Sequence, residues 1–289
     1  MRPLLTGSLS LERVTVPISN LPDHLQGCTI AQLSDFHYDG QRLPTPLLEA
    51  AIDRVNCLQV DLIALTGDYV TTHPRCIQRL TPYLEQLKSR RGCVAVLGNH
   101  DNIYHQGRQL ILRELAQVGI QPLWNQVIYP LGPDFPVVGL ADLWSRDFNP
   151  RPLLAPIPQH QPRLVLVHNP DSAARLGEWR IDLQLSGHTH GGQIVLPLIG
   201  PVPSLINTLG LTKLARLPLP YCRRLEHINS VQHWEWASGL HRVGQNWLYV
   251  NRGLGSYAPG RLRCPPEVTL VTLVKQATDW RSGSAQCME

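Results

Sequence analysis

Short apolar runs alternate with longer amphipathic stretches through the first half of the chain. Three runs of strand length, rich in Val, Ile and Leu, occupy residues 28–35, 61–68 and 92–99. Their composition is typical of strands that are buried on both faces. Apolar residues recur at helical spacing in three further segments, residues 46–60, 76–90 and 106–119. This alternation predicts a βαβαβα unit, whose strands run parallel.

The second half of the chain continues with apolar runs of strand length and one helix. The predicted strands are residues 136–142, 162–168, 181–188, 246–253 and 267–274, and the predicted helix is residues 171–179. We predict an α/β fold, a four-layer αββα sandwich of two mixed sheets packed face to face with helices outside. Residues 1–289 are predicted to form a single domain, with residues 201–236 as an irregular inserted loop or cap.

Composition supports a globular protein with an ample core, because 43% of the 289 residues are hydrophobic and 17% are charged. The net charge of +4 is small, and both signs are spread along the chain. A nucleic-acid-binding protein more often carries a concentrated basic stripe. We therefore expect no nucleic-acid partner.

The seven cysteines are scattered and form no CxxC pair, which favours reduced thiols in a cytoplasmic protein. The first 14 residues contain no sustained apolar segment and no small-residue cleavage site, so nothing marks secretion. The uncharged run 191–212 is long enough to cross a bilayer, but Pro197, Pro201 and Pro203 would interrupt a helix there. We predict an apolar loop in its place and a cytoplasmic location.

Polar residues stand at the ends of five predicted strands. They are Asp35 and His37, then Asp68, then Asn99, His100 and Asp101, then His168, and finally His188 and His190. Because ligands of open α/β sheets bind beyond the carboxyl ends of the strands, we expect these side chains to meet at one edge. One such motif alone is weak, since a lone Asp or His at a strand end is usually a cap or a surface group. The occurrence of all five in order predicts a metal site.

The set suits two divalent ions, because carboxylates supply negative charge and imidazoles bind Mn, Fe or Zn. One carboxylate has to bridge the ions, and the glycine before Asp68 permits a sharp turn there. Two ions about 3.5–4 Å apart can hold a bridging hydroxide that attacks phosphorus in line. The absence of cysteine from the set disfavours a structural zinc site.

The motifs D-x-H, G-D, G-N-H-D, H and G-H-x-H resemble those of the calcineurin-like metallophosphoesterase superfamily. Residues 18–37 and 237–273 are similar to its bacterial branch of membrane-associated phosphodiesterases and UDP-2,3-diacylglucosamine hydrolase-like proteins. The resemblance covers most of the chain. It implies a hydrolase of phosphodiester or pyrophosphate bonds that acts on a small-molecule or lipid-linked substrate, with peripheral contact at the inner face of the membrane as a further hypothesis.

The resemblance also implies a role for each motif residue. Asp35, His37, Asp68 and His190 would hold the first metal, and Asp68, Asn99, His168 and His188 the second. His100 would lie just off the metals and protonate the leaving oxygen. Asp101 is predicted as a further catalytic-site residue that orients the loop.

The chain departs from the superfamily pattern at two places. Protein phosphatases of the superfamily carry GDxxDRG, whereas Thr71 stands here at the second Asp position and no Arg follows. This argues against a protein phosphatase and leaves open what orients His100. After the last metal motif the chain inserts a stretch that contains Lys213, Arg216, Arg223 and Arg224. This stretch is either a cap for an apolar substrate and a membrane surface, or a structural cover over a sheet edge.

Two alternatives to the leading interpretation stay open at the level of the sequence. One is a nucleotide phosphodiesterase or nuclease, and the other is a metal-binding scaffold without catalytic activity. His100 together with all seven ligands favours an enzyme, because a protein that has lost catalytic activity has no chemical reason to retain the full set. The metal is left open between Mn, Fe and Zn, and the pattern does not indicate an oligomeric state.

Overall fold

A computed structural model describes residues 7–209 and 231–277, in which fourteen strands and six α-helices are found. The strands are β1 (Ser10–Ile18), β2 (Thr29–Leu33), β3 (Leu62–Leu65), β4 (Cys93–Ala95), β5 (Ile120–Pro122), β6 (Gln126–Ile128), β7 (Val137–Gly139), β8 (Leu164–Leu166), β9 (Leu183–Ser186), β10 (Val195–Leu196), β11 (Gly200–Pro201), β12 (Gly239–Val243), β13 (Asn246–Val250) and β14 (Glu267–Lys275). The helices are α1 (Thr45–Leu58), α2 (Ile77–Leu84), α3 (His105–Gln117), α4 (Arg151–Leu154), α5 (Ser172–Arg175) and α6 (Val202–Thr208).

Two six-stranded sheets are built around parallel strands. The first has the order β1-β14-β2-β3-β4-β5, in which β2 to β5 run parallel and β14 is antiparallel to β2. The second has the order β12-β13-β9-β8-β7-β6, in which β7, β8, β9 and β13 run parallel between antiparallel edge strands. Both sheets are therefore mixed, as the sequence predicts.

The two sheets pack face to face around a continuous apolar core. Ala64 and Val94 of the first sheet contribute to this core together with Leu166 and Leu185 of the second. A second core lies between the first sheet and α1 to α3, and a third lies between the second sheet and the segment that contains α4 and α5. This order of layers confirms the αββα sandwich.

Every predicted strand and helix is found, most of them shorter than predicted, and two helices end much earlier than the pattern predicts. Helix α2 ends at Leu84, and beyond it the backbone N–H groups of Arg90 and Arg91 bond to the carbonyls of Val60 and Asp61. Helix α5 is a single turn of four residues, where the sequence predicted residues 171–179. Strand β1 was not predicted, because it is a half-exposed edge strand that carries Glu12 and Arg13.

The segment predicted as an insertion, residues 201–236, is described only at its two ends. Residues 210–230, with all four basic residues of the hypothetical cap, lie outside the described residues. The run after His190 forms the β10–β11 hairpin and α6 in place of the predicted loop. Within residues 7–209 and 231–277, no helix combines the length and the apolar character that a membrane crossing requires.

Candidate metal centre

All nine predicted site residues follow strands that lie side by side in the parallel parts of the two sheets. Asp35 and His37 follow β2, Asp68 follows β3, Asn99 to Asp101 follow β4, His168 follows β8, and His188 and His190 follow β9. Because the carboxyl ends of parallel strands share one edge, the loops from both sheets converge there. Hydrogen bonds join them across the two sheets, as from the backbone N–H of His188 to Asp35 Oδ1 and Oδ2 (3.1 and 3.0 Å).

The backbone of this site is strained at five of the seven predicted ligands. Their φ angles are positive: Asp35 52°, His37 44°, Asp68 55°, His188 73° and His190 51°. Non-glycine residues rarely adopt this region, and each instance costs on the order of 1–3 kcal/mol. Such strain persists only where the surrounding structure enforces it, and it is typical of functional sites.

Two glycines permit the close approach of these loops. A Cβ atom at Gly187 would overlap the side chains of Ser34 and Asp35, and a Cβ atom at Gly98 would overlap the carboxylate of Asp68. The glycines of the GHTH and GNHD motifs therefore make room for the two carboxylates.

A first cluster of ligand atoms is formed by Asp35, His37 and His190, all buried. His190 Nε2 lies 3.3 Å from Asp35 Oδ1 and 3.1 Å from His37 Nε2. Because two imidazoles and a carboxylate direct these atoms at one point, the cluster offers a mixed nitrogen–oxygen set of the kind that divalent transition metals prefer.

A second cluster is formed by Asp68, His168 and His188. Asp68 Oδ2 lies 3.1 Å from His168 Nε2 and 3.5 Å from His37 Nε2 of the first cluster. One oxygen of Asp68 therefore lies between the two clusters, where a bridging carboxylate has to be.

Backbone groups fix the orientation of the ligands. His168 Nδ1 donates to the carbonyl of Thr66 (2.7 Å) and His190 Nδ1 to that of Gly255 (3.1 Å), which leaves Nε2 of each ring for a metal. The backbone N–H of His100 donates to Asp68 Oδ1 (2.9 Å). Metal-binding histidines commonly donate a hydrogen bond from one ring nitrogen, as His168 and His190 do here, and this bond fixes the tautomer of the ring.

The electrostatics of the site favour cations. Burial raises the pKa of Asp68, but the facing imidazoles of His168, His100 and His37 outweigh burial and hold that pKa well below its ordinary value. Burial lowers the pKa of His168, yet the charge of Asp68 outweighs it and raises the value to about 10. The negative potential that stabilises a protonated imidazole there equally stabilises a divalent ion, whose binding would displace the proton.

His190 is held in the opposite state. Burial lowers its pKa to about 4, so the ring is neutral near pH 7 and keeps the lone pair that a metal ligand needs.

His100 lies at the rim of both clusters and is only partly buried. Its Nδ1 donates to the carbonyl of Thr71 (2.6 Å), and Thr71 Oγ1 in turn donates to Asp39 Oδ2 (3.1 Å). The residue that replaces the second Asp of the protein-phosphatase motif therefore orients His100 through its backbone. His100 also forms a third group of nearby ligand atoms with His37 and Asp68, so its position alone is compatible with metal binding as well.

Asp101 is buried and binds backbone rather than ring atoms. Its Oδ1 accepts from the N–H groups of Tyr69 (2.9 Å) and Val70 (3.2 Å), and its Oδ2 accepts from Gly98 (2.9 Å). Burial raises the pKa of Asp101 to about 8, against the effect of these donors. These contacts join the loop after β3 to the loop after β4, and the catalytic-site role of Asp101 stays a prediction.

Three residues at the site were missed by the sequence-based reasoning. The hydroxyl of Tyr257 lies 3.3 Å from His37 Nδ1, and burial raises the pKa of this phenol. The exposed ring of Trp144 packs edge-on against His188, and the backbone N–H of Trp144 donates to the buried carboxylate of Asp142. Both segments follow strands of the parallel set, β13 and β7. The rule that found the other motifs would have indicated Asp142 and Trp144, which follow β7 closely, but not Tyr257, which lies well beyond the end of β13.

The donor set fits a pair of divalent ions. Asn99 Oδ1 is buried and has no hydrogen-bond partner within residues 7–209 and 231–277. A buried amide oxygen without a partner costs free energy unless something else binds it. This oxygen is therefore available as a ligand, and its place in the set for the second metal stays a prediction.

Comparison with known proteins gives a consistent result. Residues 28–192 match the model of the calcineurin-like phosphoesterase family. The chain is 33% identical to the phosphodiesterase YaeI of Escherichia coli over 246 residues, which cover 84% of this chain and 80% of that protein. It is 28% identical to the UDP-2,3-diacylglucosamine pyrophosphatase LpxG of Chlamydia trachomatis, with 91% of this chain and 89% of that protein covered.

The matched segment and these relatives show that the chain is a metal-dependent hydrolase of phosphoric esters. It belongs to the calcineurin-like phosphoesterase family. The resemblance stated from the motifs, including the bacterial branch, is thereby confirmed.

Proposed function

We propose that the chain hydrolyses phosphodiester or pyrophosphate bonds with two divalent metal ions. Asp35, His37, Asp68 and His190 would hold one ion, and Asp68, Asn99, His168 and His188 the other. The observation that carries the proposal is the position of Asp68 Oδ2, which lies between a histidine of each cluster. When bound, the ions would supply Lewis acidity and lower the pKa of a water molecule, so that a nucleophile is available near neutral pH.

The residues of the chain have distinct tasks in this reaction. The carbonyls of Thr66 and Gly255 hold two ligand rings in the tautomer that presents Nε2. Asp101 holds the loops that carry Asp68 and His100. His100 gives a proton from Nε2 to the leaving oxygen while water attacks phosphorus from the opposite side, since Nδ1 is already engaged by Thr71.

Removal of the metal should abolish activity reversibly. Protein stripped with a chelator is expected to lose hydrolysis of bis(p-nitrophenyl) phosphate and to regain it with Mn²⁺, Fe²⁺ or Zn²⁺, because this donor set accommodates all three. Rates measured after addition of each metal to the stripped protein would identify the preferred ion among manganese, iron and zinc. Titration should saturate at two ions per chain. Full activity in protein shown to contain no metal would contradict the proposal.

The same experiment separates the two alternatives. A scaffold without catalytic activity would bind two ions and hydrolyse nothing. A nuclease would prefer an oligonucleotide to a small diester, although the small net charge of +4 does not favour this.

A lipid-linked pyrophosphate is the substrate class that we favour. The relative LpxG is named for such an activity. In this chain the apolar side chains of Leu198 and Ile199 are exposed on the hairpin that follows His190, and Trp144 is exposed beside His188. Apolar surface beside a polar metal site suits a substrate with a phosphate group and an acyl chain, and it allows peripheral contact with a membrane.

Exchange of Leu198 and Ile199 for serine should weaken binding of the lipid substrate selectively. Loss of one or two buried aliphatic contacts, each worth about 1.5–3 kcal/mol, would raise KM for UDP-2,3-diacylglucosamine by roughly tenfold or more. Steady-state kinetics on this lipid should be compared with bis(p-nitrophenyl) phosphate, for which no change is expected. Tyr129→Ser, at another exposed apolar residue, is the matched control. An equal effect on both substrates would defeat the assignment.

A further inference from the structure

Tyr257 lies between a proposed metal ligand and the proposed acid. Its hydroxyl is 3.3 Å from His37 Nδ1 and 3.5 Å from His100 Nε2. Its ring packs edge-on against His37 and His190, with centroids 5.0 and 5.4 Å apart. One phenol therefore contacts both parts of the proposed reaction centre.

The partners of the two histidines determine what the phenol can do. His37 directs Nε2 at the clusters, so Nδ1 is the nitrogen left to donate to Tyr257. His100 donates Nδ1–H to Thr71, so Nε2 is the nitrogen that gives up and regains a proton. A hydroxyl both donates and accepts, and it can therefore accept from His37 while it donates to neutral His100.

The phenol is itself held from several sides. The backbone N–H of Tyr257 donates to Gln193 Oε1 (2.6 Å), and the guanidinium of Arg42 lies 4.7 Å from the centre of the ring. The preceding N–H, that of Ser256, donates to the carbonyl of Arg42 (3.0 Å). Tyr257 is thus tied both to the segment that follows His190 and to the loop that follows His37.

We propose that Tyr257 is a positioning residue, whose hydroxyl holds the Nε2 edge of His100 toward the metal centre. This inference rests on the proposed function, since it concerns the proton that His100 delivers. In the reaction, a water molecule gives up a proton to solvent and its oxygen forms a bond to phosphorus as the bond from phosphorus to the leaving oxygen breaks. The leaving oxygen keeps the electron pair and receives the Nε2 proton. Tyr257 then hydrogen-bonds to the neutral ring until His100 regains a proton from solvent.

The test uses two methyl aryl phosphodiesters that differ in their leaving group. Phenolate is a poor leaving group and needs a proton, whereas p-nitrophenolate leaves readily without one. Tyr257→Phe removes only the hydroxyl, so kcat on the phenyl ester should fall about tenfold, the scale of one hydrogen bond. The p-nitrophenyl ester should change by less than about threefold. Metal content and KM should stay unchanged.

A double-mutant cycle then assigns the effect to His100. In a His100→Ala background, Tyr257→Phe should cause no further loss, because the group that it positions is gone. Tyr104→Phe, at an exposed tyrosine, is the matched control and should have no effect. Equal losses on both esters, or losses that add to those of His100→Ala, would overturn the positioning role.

Failure of this inference is distinguishable from failure of the proposed function. Full activity of Tyr257→Phe on the phenyl ester, with His100→Ala inactive on it, removes Tyr257 from the reaction and leaves the proposed function standing. Full activity of His100→Ala and of a metal-ligand variant would remove both.

Discussion

Asp68→Asn is expected to reduce turnover of bis(p-nitrophenyl) phosphate by roughly 10³-fold or more, since it weakens both halves of a two-metal site at once. The carboxylate of Asp68 lies close to one histidine of each cluster, His37 and His168. An amide of the same shape keeps one oxygen acceptor but removes the negative charge that two cations require. We therefore expect the metal content of purified protein to fall below two ions per chain.

Metal analysis beside steady-state kinetics checks this expectation. Asp53→Asn is a suitable control, because the same chemical change is made on an exposed face of α1. It should leave both the rate and the metal content as they are. Unchanged turnover and two bound ions in Asp68→Asn would exclude the dinuclear mechanism.

His100→Ala is expected to retain both metal ions and to lose about 10²–10⁴ in rate, the usual scale for a general acid. The loss should be largest on esters with poor leaving groups, because these depend most on protonation. Since the N–H that fixes Asp68 belongs to the backbone of His100, the substitution leaves that contact in place.

The same variant decides between the two roles that the geometry allows His100. If His100→Ala loses one ion, His100 is a metal ligand, which its position beside His37 and Asp68 permits. That result would contradict the role of His100 as a general acid. His160→Ala, at an exposed histidine that belongs to none of the metal motifs, serves as the control for the loss of an imidazole.

The sequence located all of the proposed ligands for a simple physical reason. Each follows an apolar strand, and parallel strands bring their carboxyl ends to one edge without any knowledge of side-chain packing. Asp35 and His188 come from different sheets, yet the rule was enough to place them together. The assignments of the individual residues to two metals and to an acid stay predictions that the experiments above address.

Tyr257 shows where local patterns fail. It lies well beyond the end of β13, in a loop whose path depends on contacts with Arg42 and Gln193, far away in sequence. The sequence could not predict the role of the Thr71 carbonyl either, because a backbone carbonyl is present in nearly the same form whatever the residue type. Contacts of this kind become visible only once the fold is known.

The edge of the first sheet illustrates the same limit for the fold. Strand β1 pairs with β14 in parallel, from Ser10 opposite Glu267 to Ile18 opposite Lys275. Nothing in the neighbourhood of β1 indicates a partner so distant along the chain. The hydrophobic pattern therefore predicted β14 as a strand, and left both its position between β1 and β2 and the existence of β1 to be found in the structure.

The division of the ligands between two sheets has a consequence during synthesis of the protein. Each proposed metal set takes residues from before Gly139 and others from after Leu164, and the first sheet needs β14 between β1 and β2. A nascent chain that is still short of Lys275 thus carries single aspartates and histidines without a finished cage for either ion. We expect the ions to bind only after β14 has joined the first sheet, so that they would stabilise a formed sandwich instead of guiding its early folding.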